Sequence, residues 1–257
     1  MAVDIEESNS VVYLTLNRPE KLNSVDEEMA AELLDAIGRV AASDSRAMVI
    51  SGAGRGFCAG RDLEGAEPLT EDAEAILIDT FNPLFRAIRA ISFPTIAQVH
   101  GPALGVGLGL ALACDLVYVA ESAKVGSPFA NIGAVLDSGG HRYLVQRVGS
   151  HLALELIYTG RLISGTEAAA IGLVNRAVED DQLGDTVRAL AEKIADGPSA
   201  AFALSKTLVQ QIEDDHPNFA DVLAAEAVAQ GAAARTADYA EGIMAFQDKR
   251  RASFTGK

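Results

Sequence analysis

Two glycine-rich loops constrain this chain more than any other feature of its sequence. The first glycine loop spans residues 52–63 and the second spans residues 101–109; each directly follows a short apolar run, at 47–51 and 95–99. Glycine at the end of a strand lets the backbone approach a ligand and turn its N–H groups toward it. The two loops can therefore aim two donors at one oxygen atom. The alternative is that these glycines serve only tight turns and close helix packing.

The glycine spacing excludes the common nucleotide-binding motifs. A Gly-x-Gly-x-x-Gly fingerprint fails in both loops, because Phe57 and Leu110 occupy the position of its third glycine. The sequence also contains no Gly-x-x-x-x-Gly-Lys-Ser/Thr and no Gly-x-Ser-x-Gly. P-loop and α/β-hydrolase sites therefore lack their key residues.

Strand and helix patterns alternate along the first part of the chain. Residues 11–16 and 116–119 are β-branched and apolar, which is typical of strands, as are the two runs before the glycine loops. Residues 24–27 have the pattern of a capping box that opens a helix, and further helices are predicted over about 76–91 and 106–114. Such alternation predicts an α/β fold, in which helices cover a sheet.

The last part of the chain has a different pattern. After Pro198 no strand pattern remains, and three alanine-rich helices are predicted. Such a tail cannot bury both of its faces alone, so we expect it to pack on the body or on a neighbouring subunit. We therefore divide the chain into a core at residues 1–196 and a C-terminal helical region at residues 197–257.

Charge and cysteine content narrow the range of partners. The formal net charge of the 257 residues is −15, which repels nucleic acid and anionic lipid. A phosphate-bearing ligand must therefore be small and bound by a local group of cations. Cys58 and Cys114 give no disulfide framework and no Cys/His metal spacing, so we expect no metal site. Because no apolar run approaches the roughly 20 residues of a membrane span, and residues 1–7 are acidic, we expect a cytoplasmic protein without membrane contact.

Several segments resemble the crotonase (enoyl-CoA hydratase/isomerase) superfamily. The signature segments match in order and at the family's spacing at 16–24, 54–63 and 100–107. Closer to the C-terminus, a resemblance to the ring 1,2-epoxyphenylacetyl-CoA isomerase branch covers 237–242, 246–250 and 254–257. The resemblance implies a ClpP/crotonase-type α/β fold of stacked β-β-α units, with the acyl-CoA site in the core. It also implies that the C-terminal helices form a trimerisation region, giving a homotrimer or a dimer of trimers.

The resemblance also implies the ligand and the residues that hold it. The partner is an acyl-CoA thioester, so coenzyme A is part of the substrate and no separate cofactor is expected. In the family, the thioester oxygen accepts hydrogen bonds from two backbone N–H groups, which correspond here to Arg61 and Val106. Val106 departs from the usual glycine, but only its N–H is needed, and it opens a predicted helix whose positive end would stabilise an oxyanion. Further substrate contacts are implied at Ala59, Asp62, Leu63, Gly105 and Phe129.

The carboxylates near the Arg61 and Val106 N–H groups determine which reaction the site can catalyse. Hydratases of the family position a water with two glutamates, and the matching residues here are Gly109 and Phe129. Asp137, in the segment 133–140, falls where the epoxyphenylacetyl-type isomerases carry their catalytic aspartate. One carboxylate suffices for isomerisation, because it removes a proton at one carbon and returns it at another. We therefore predict an acyl-CoA isomerase that catalyses a 2,3-double-bond shift or a ring-epoxide isomerisation.

Other functions stay open at this point. An enoyl-CoA hydratase is the first alternative, and a non-catalytic CoA-binding or assembly subunit is an alternative of another class. A family dehalogenase places a nucleophilic aspartate at about the position of Asp137, which makes covalent catalysis a third possibility. His141 lies close in sequence to Ser138, but a hydrolytic triad lacks its nucleophile elbow.

Asp137 also has a purely structural interpretation. The residue precedes a helix predicted over 141–148, where a carboxylate can act as the N-cap. A helix N-terminus would lower the pKa of Asp137, whereas burial beside Phe129 and aliphatic side chains would raise it. The sequence does not determine the sign of the net shift.

Coenzyme A carries several phosphates, so an acidic protein must supply cations at the mouth of the site. Lys249 matches a family position on the C-terminal helix that often reaches the ligand across a subunit boundary. Each candidate, taken alone, is equally well interpreted as a solvated surface cation. The candidates are Arg18, Lys21, Arg55, Arg61 and Lys249.

Overall fold

The computed structural model describes residues 1–67 and 69–257 of the chain. Strands and helices alternate up to residue 195, and the elements described after it are helices. In chain order the elements are β1 (Val3–Ser8), β2 (Val11–Leu16), α1 (Glu27–Ala41), β3 (Ala47–Gly52), α2 (Ala73–Ile76), α3 (Asn82–Ala90), β4 (Thr95–Val99), β5 (Pro102–Leu104), α4 (Val106–Ala113), β6 (Leu116–Ala120), β7 (Lys124–Gly126), α5 (Gly140–Thr159), β8 (Ile163–Ser164), α6 (Gly165–Ala170), β9 (Arg176–Val178), α7 (Leu183–Ala195), α8 (Ser199–Asp215), α9 (Phe219–Ala233) and α10 (Ala237–Gln247).

Two sheets form the framework of the fold. The larger has six strands in the order β1-β2-β3-β4-β6-β9, parallel except for the antiparallel β1–β2 pair. The smaller sheet has the order β5-β7-β8. From β4 to β7 consecutive strands alternate between the sheets, since β4 and β6 lie in the larger and β5 and β7 in the smaller. This arrangement confirms the α/β prediction. Because β3 and β4 are neighbouring parallel strands, the glycine loops that follow them lie at the same edge of the larger sheet.

Helix α1 shows why its predicted start needs correction. The N-cap is Asp26, whose side chain accepts a hydrogen bond from the Met29 N–H at 2.8 Å. The capping box predicted from Ser24 is wrong, because Val25 forms a β-bridge to Arg61 and keeps the chain extended there. Its helical spacing predicts one apolar face of five residues, of which Met29, Leu33, Ile37 and Val40 are buried, whereas Leu34 is 37% exposed.

The helix predicted over 76–91 is interrupted. Between α2 and α3 the residues Leu77–Phe81 form a π-helical turn, in which the Asn82 N–H donates to Leu77 O. Pro83 follows directly and has no N–H to donate, so the regular hydrogen-bond ladder cannot continue through this point. Apolar periodicity alone did not reveal this widened turn.

Three helices follow residue 198, as predicted. In α8 no residue is buried, in α9 only Ala233 is buried, and in α10 only Asp238 and Ala245 are. Asp238 fixes the chain end, because its carboxylate accepts from the Gly256 N–H at 2.8 Å and its own N–H donates to Lys257 O at 3.0 Å. The domain boundary at 196/197 and the trimerisation role stay predictions.

Within residues 1–67 and 69–257, no helix combines the length and the apolar character needed to cross a membrane.

Candidate active site

A cavity of about 510 Å³ lies between the two glycine loops, the α2–α3 region and the segment that precedes α5. Its described wall is apolar apart from Arg61 and Asp137. The cavity brings together most of the site residues predicted from the sequence: Ala59, Arg61, Leu63, Gly105, Val106, Phe129 and Asp137. Five other predicted residues do not line it: Arg18, Lys21, Arg55, Asp62 and Lys249.

The two glycine loops are locked together next to this cavity. The Cys58 N–H donates to Pro102 O at 3.0 Å, and the Leu104 N–H donates back to Cys58 O at 2.9 Å. A Cβ on Gly107 would lie 2.2 Å from Cys58 O, far inside van der Waals contact, so only glycine fits there. Close approach of the two loops therefore requires glycine at position 107. For Gly107, the alternative that the glycines serve close packing is correct.

Close packing also brings two backbone donors to the cavity wall. A Cβ on Gly60, which has a φ of +104°, would lie 2.9 Å from Leu104 O and 3.9 Å from Val106 N. Val106 is the first residue of α4, so its N–H has no acceptor within the helix. In the described residues, neither the Arg61 N–H nor the Val106 N–H has a backbone acceptor. We call these two N–H groups and the glycine loops that carry them the oxyanion side of the cavity.

Asp137 is half-buried on the cavity wall. Desolvation by burial raises the pKa of its carboxyl above the usual range, while the Ser138 hydroxyl and the Arg61 charge oppose that shift. The hydroxyl oxygen of Ser138 donates to Asp137 Oδ1 at 2.6 Å. The sign that the sequence left open is therefore upward, in the direction of a base that works closer to neutral pH. We call Asp137 and Ser138 the carboxylate side of the cavity.

Asp137 does not cap helix α5, which corrects the structural interpretation of this residue. The helix begins at Gly140, and its N-cap is Gly139 with a φ of 75° and no side-chain cap. Only the backbone carbonyl of Asp137 takes part, accepting from the Gly140 N–H at 2.9 Å. The Asp137 side chain is consequently free to face the cavity.

The two positions at which family hydratases carry glutamate are both filled. A Cβ on Gly109 would lie 2.5 Å from Ser138 Cβ, 2.8 Å from Ser138 O and 3.0 Å from Phe85 Cε1. The other position is Phe129, whose ring lies 3.2 Å from the place of a Cβ on Gly105. No carboxylate stands at either place, and at Gly109 even a methyl group would collide with the Ser138 backbone.

Three of the candidate cations form ion pairs with aspartate or glutamate side chains of the protein. Arg18 contacts Asp26 at 2.8 Å and Asp62 at 3.1 Å. Lys21 pairs with Glu64, and Arg61 binds both carboxylate oxygens of Glu71 at 3.0 Å. Asp62 is thereby placed as the anchor of Arg18. These pairs brace the first glycine loop and compete with any phosphate for the same cations.

Arg55 and Lys249 are the remaining candidate cations. Both are exposed, and in the described residues neither has a carboxylate within 4.0 Å. Lys249 follows α10 with a φ of 54°. A phosphate group could bind these two cations without breaking an ion pair within the protein.

Neither cysteine lines the cavity, and neither do the histidines closest in sequence to the glycine loops and to Asp137. His100 Nε2 lies 3.1 Å from Gly54 O and so ties the two glycine loops together. Cys58 and Cys114 are buried, and burial raises the pKa of each thiol to about 12. His141 is exposed and does not line the cavity.

Sequence reasoning missed part of the wall and the partner of Asp137. Leu77 and Phe81, both in the π-helical turn, line the cavity. Pro83, inside a predicted helix, was the available signal for that turn. The contact of Ser138 with Asp137 had no signal beyond the two residues being adjacent.

The chain is similar in sequence to enoyl-CoA hydratases and isomerases. A sequence model described as Enoyl-CoA hydratase/isomerase matches residues 6–257. A 1,2-epoxyphenylacetyl-CoA isomerase from Escherichia coli is 38% identical over 253 residues, covering 96% of this chain and 95% of the relative. An (E)-benzylidenesuccinyl-CoA hydratase from Thauera aromatica is 34% identical over 258 residues, covering 100% of both chains.

Solved structures agree with these relatives. The crystal structure of an enoyl-CoA hydratase from Bacillus anthracis has a TM-score of 0.92 to this chain at 30% identity, and the match covers 100% of both chains. The protein therefore belongs to the enoyl-CoA hydratase/isomerase family and has the crotonase fold.

Proposed function

We propose that this protein is an acyl-CoA isomerase in which Asp137 moves a proton along the acyl group. The observation that carries the proposal is the composition of the cavity wall. In its described part, Asp137 is the one carboxylate, and it shares an otherwise apolar space with Arg61 and Val106. A single base in an apolar cavity suits a reaction that removes and returns one proton.

The proposed mechanism begins at the oxyanion side. The thioester oxygen accepts hydrogen bonds from the Arg61 and Val106 N–H groups, which makes the carbon next to the thioester more acidic. Asp137 takes a proton from the acyl group, and the electron pair of the broken C–H bond moves into an enolate held by the two N–H groups. The protonated Asp137 then returns the proton at a different carbon, so the base is regenerated and no other reactant is consumed.

The residues that line the cavity suit isomerisation better than hydration. Hydration has to hold a water molecule and protonate carbon as well, and the family's hydratases use two glutamates for this work. The equivalent positions here are Gly109 and Phe129, and the space at Gly109 is occupied by Ser138. Hydratase activity remains the second candidate, because several relatives are named as hydratases.

A non-catalytic CoA-binding subunit is the alternative of another class. Such a subunit needs the oxyanion side but has no use for a buried carboxylate. Burial raises the pKa of Asp137, which means that its charged form is destabilised there. A perturbed pKa of this kind in a cavity is typical of a catalytic group.

For the substrate we propose either a 3-enoyl-CoA, by a 2,3-double-bond shift, or a ring-epoxide acyl-CoA. The second choice is supported by the E. coli relative, which is named a 1,2-epoxyphenylacetyl-CoA isomerase. We propose no separate cofactor, because coenzyme A arrives with the substrate. Arg55 and Lys249 are proposed to bind its phosphates.

We also propose a homotrimer or a dimer of trimers. The support is the apolar surface of the last helices, where the side chains of Phe219, Val228 and Phe246 are 76%, 75% and 84% exposed. Faces of this kind are commonly covered by another subunit. The expected cytoplasmic location stays a prediction.

The test of the proposed function is a comparison of products. The protein is incubated separately with 3-hexenoyl-CoA, crotonyl-CoA and ring-1,2-epoxyphenylacetyl-CoA, and the products are identified by mass spectrometry and chromatography. We expect 2-hexenoyl-CoA from the first substrate, or the rearranged isomer from the third. Efficient formation of 3-hydroxybutyryl-CoA from crotonyl-CoA would instead show a hydratase, and turnover of none of the three would favour the non-catalytic subunit.

A further inference from the structure

Ser138 has a backbone conformation that serine rarely adopts. Its φ is 58°, in the left-handed region, and the residue is only 4% exposed. A non-glycine residue persists in this region only when the surrounding structure holds it there. Strained residues of this kind cluster at active sites and ligand contacts.

The packing around Gly109 holds Ser138 in place. A Cβ on Gly109 would lie 2.5 Å from Ser138 Cβ and 2.8 Å from Ser138 O, so helix α4 presses directly on this residue. Because α4 begins at Val106, the same helix supports Ser138 and supplies one N–H of the oxyanion side. The position of the Ser138 hydroxyl is therefore tied to the position of the thioester oxygen.

The hydroxyl distinguishes the two oxygens of Asp137. Ser138 Oγ donates to Oδ1 at 2.6 Å, whereas Oδ2 accepts no hydrogen bond from any described residue. One oxygen is thus fixed by the protein and the other is available to a ligand.

We infer that Ser138 is a positioning residue for Asp137, which directs Oδ2 toward the substrate carbon and keeps Oδ1 out of the proton transfer. This inference rests on the proposed isomerase function. In the reaction, the substrate C–H bond breaks, an O–H bond forms at Oδ2, and the electron pair enters the enolate. The Ser138 hydroxyl keeps its own proton throughout and donates more strongly to the charged carboxylate than to the neutral acid.

The hydroxyl also sets the pH range of the base. Burial raises the pKa of Asp137, and Ser138 and then Arg61 are the groups that lower it. Arg61 is the other charged side chain on the described cavity wall, and Glu71 binds its guanidinium. Without the hydroxyl, the carboxylate loses its hydrogen-bond donor, so the pKa of Asp137 must rise further.

The test uses two variants, Ser138→Ala and Ser138→Gly. Both remove the hydroxyl, but glycine also relieves the left-handed strain, so an effect shared by both variants reports the hydroxyl and not the fold. The measurement is the pH profile of kcat/KM and of kcat for 3-hexenoyl-CoA or the ring-epoxide substrate, whichever the protein converts.

Activity requires the charged carboxylate, so it rises with pH through the pKa of Asp137. We expect this acid limb to move upward by about one pH unit in both variants, because a hydrogen bond to a charged group is lost. At the plateau we expect kcat to fall about tenfold through lost orientation, while KM changes by less than about twofold.

An acid limb that stays in place in both variants would overturn the inference, as would a KM effect larger than the kcat effect. Asp137→Asn separates this failure from that of the proposed function. If Asp137→Asn is inactive and the Ser138 variants keep the wild-type profile, only the role of Ser138 is wrong. If Asp137→Asn remains active, the proposed function itself is wrong. Thermal unfolding of each variant identifies a variant that does not fold, and Ser138→Gly is the one expected to fold best.

Discussion

The oxyanion side of the cavity is made of backbone, whereas the carboxylate side depends on side chains. On the first side, the proposed donors are the N–H groups of Arg61 and Val106, and the glycine loops that hold them are joined by main-chain hydrogen bonds. On the second side, the proposed base is the Asp137 carboxylate, which accepts a hydrogen bond from the Ser138 hydroxyl at 2.6 Å.

This difference decides which substitutions each side can tolerate. A backbone donor survives a change of its own side chain, which explains why valine at position 106 is compatible with the site although the family usually has glycine there. The same donor is sensitive to the glycines, since a Cβ on Gly107 would lie 2.2 Å from Cys58 O. The carboxylate side has the opposite sensitivity, because one side-chain substitution would remove its proposed base.

Asp137→Asn gives the largest expected effect. The amide has nearly the same shape but cannot accept the proton, so we expect kcat to fall about 10³-fold, within the usual contribution of a general base. Binding of the acyl-CoA product, measured by calorimetry, should change by less than about threefold. Retention of more than a tenth of the wild-type turnover would show that the carboxylate side does not depend on Asp137.

Val106→Pro tests the oxyanion side in the same way. Proline removes the N–H, yet it is well tolerated at the first position of a helix. Gly105, with a φ of 52° and a ψ of −116°, is outside the helical region that a following proline disfavours. We expect kcat to fall about 10²-fold, the usual effect of losing one oxyanion donor.

Val106→Ala is the matched control for that variant. It keeps the N–H and removes only part of a buried side chain, which is 2% exposed, so kcat should fall by less than about fivefold. Equal losses in the proline and alanine variants, with both proteins folded by circular dichroism, would show that the valine side chain matters and the N–H does not.

Gly109→Ala should weaken both sides together. The new methyl group would collide with Ser138 and Phe85, and overpacking of a core commonly costs about 1–3 kcal/mol. We expect a lower melting temperature and a fall in kcat of about tenfold, because Ser138 is displaced. Gly38→Ala is the matched control: it lies in α1 with nothing within 4 Å of the new Cβ, so it should raise stability by up to about 1 kcal/mol. A Gly109→Ala protein as active and stable as wild type would show that α4 does not press on Ser138.

The strands and most helices were predictable from the sequence for a simple reason. Parallel strands buried on both faces are continuous apolar runs, so β3 and β4 were visible as such. The start of α1 was not, because the β-bridge between Val25 and Arg61 joins residues far apart in sequence. The π-helical turn was missed because apolar periodicity does not report which carbonyl each N–H reaches.

For the candidate site, the residues were predictable from the sequence, but the properties of the carboxylate side were not. The positions of Arg61, Val106 and Asp137 came from resemblance, and the cavity does bring these three residues together. The sign of the Asp137 pKa shift could not be predicted, because two opposing effects depend on burial and on the direction of the carboxylate. Likewise, the role of Ser138 depends on a left-handed φ that residue type does not indicate.

Arg61→Ala gives the smallest expected effect and tests whether the oxyanion side is made of backbone alone. The N–H of residue 61 remains, so the thioester oxygen keeps both donors. The guanidinium is lost, however, and it lowers the pKa of Asp137, so that pKa should rise slightly. We expect kcat/KM at neutral pH to fall by about threefold. Glu71→Gln is the matched control, because it breaks the same ion pair, with its 3.0 Å contact, and leaves the guanidinium in place. A loss above about thirtyfold in Arg61→Ala but not in Glu71→Gln would mean that the guanidinium itself contacts the substrate, and the oxyanion side would then depend on a side chain as the carboxylate side does.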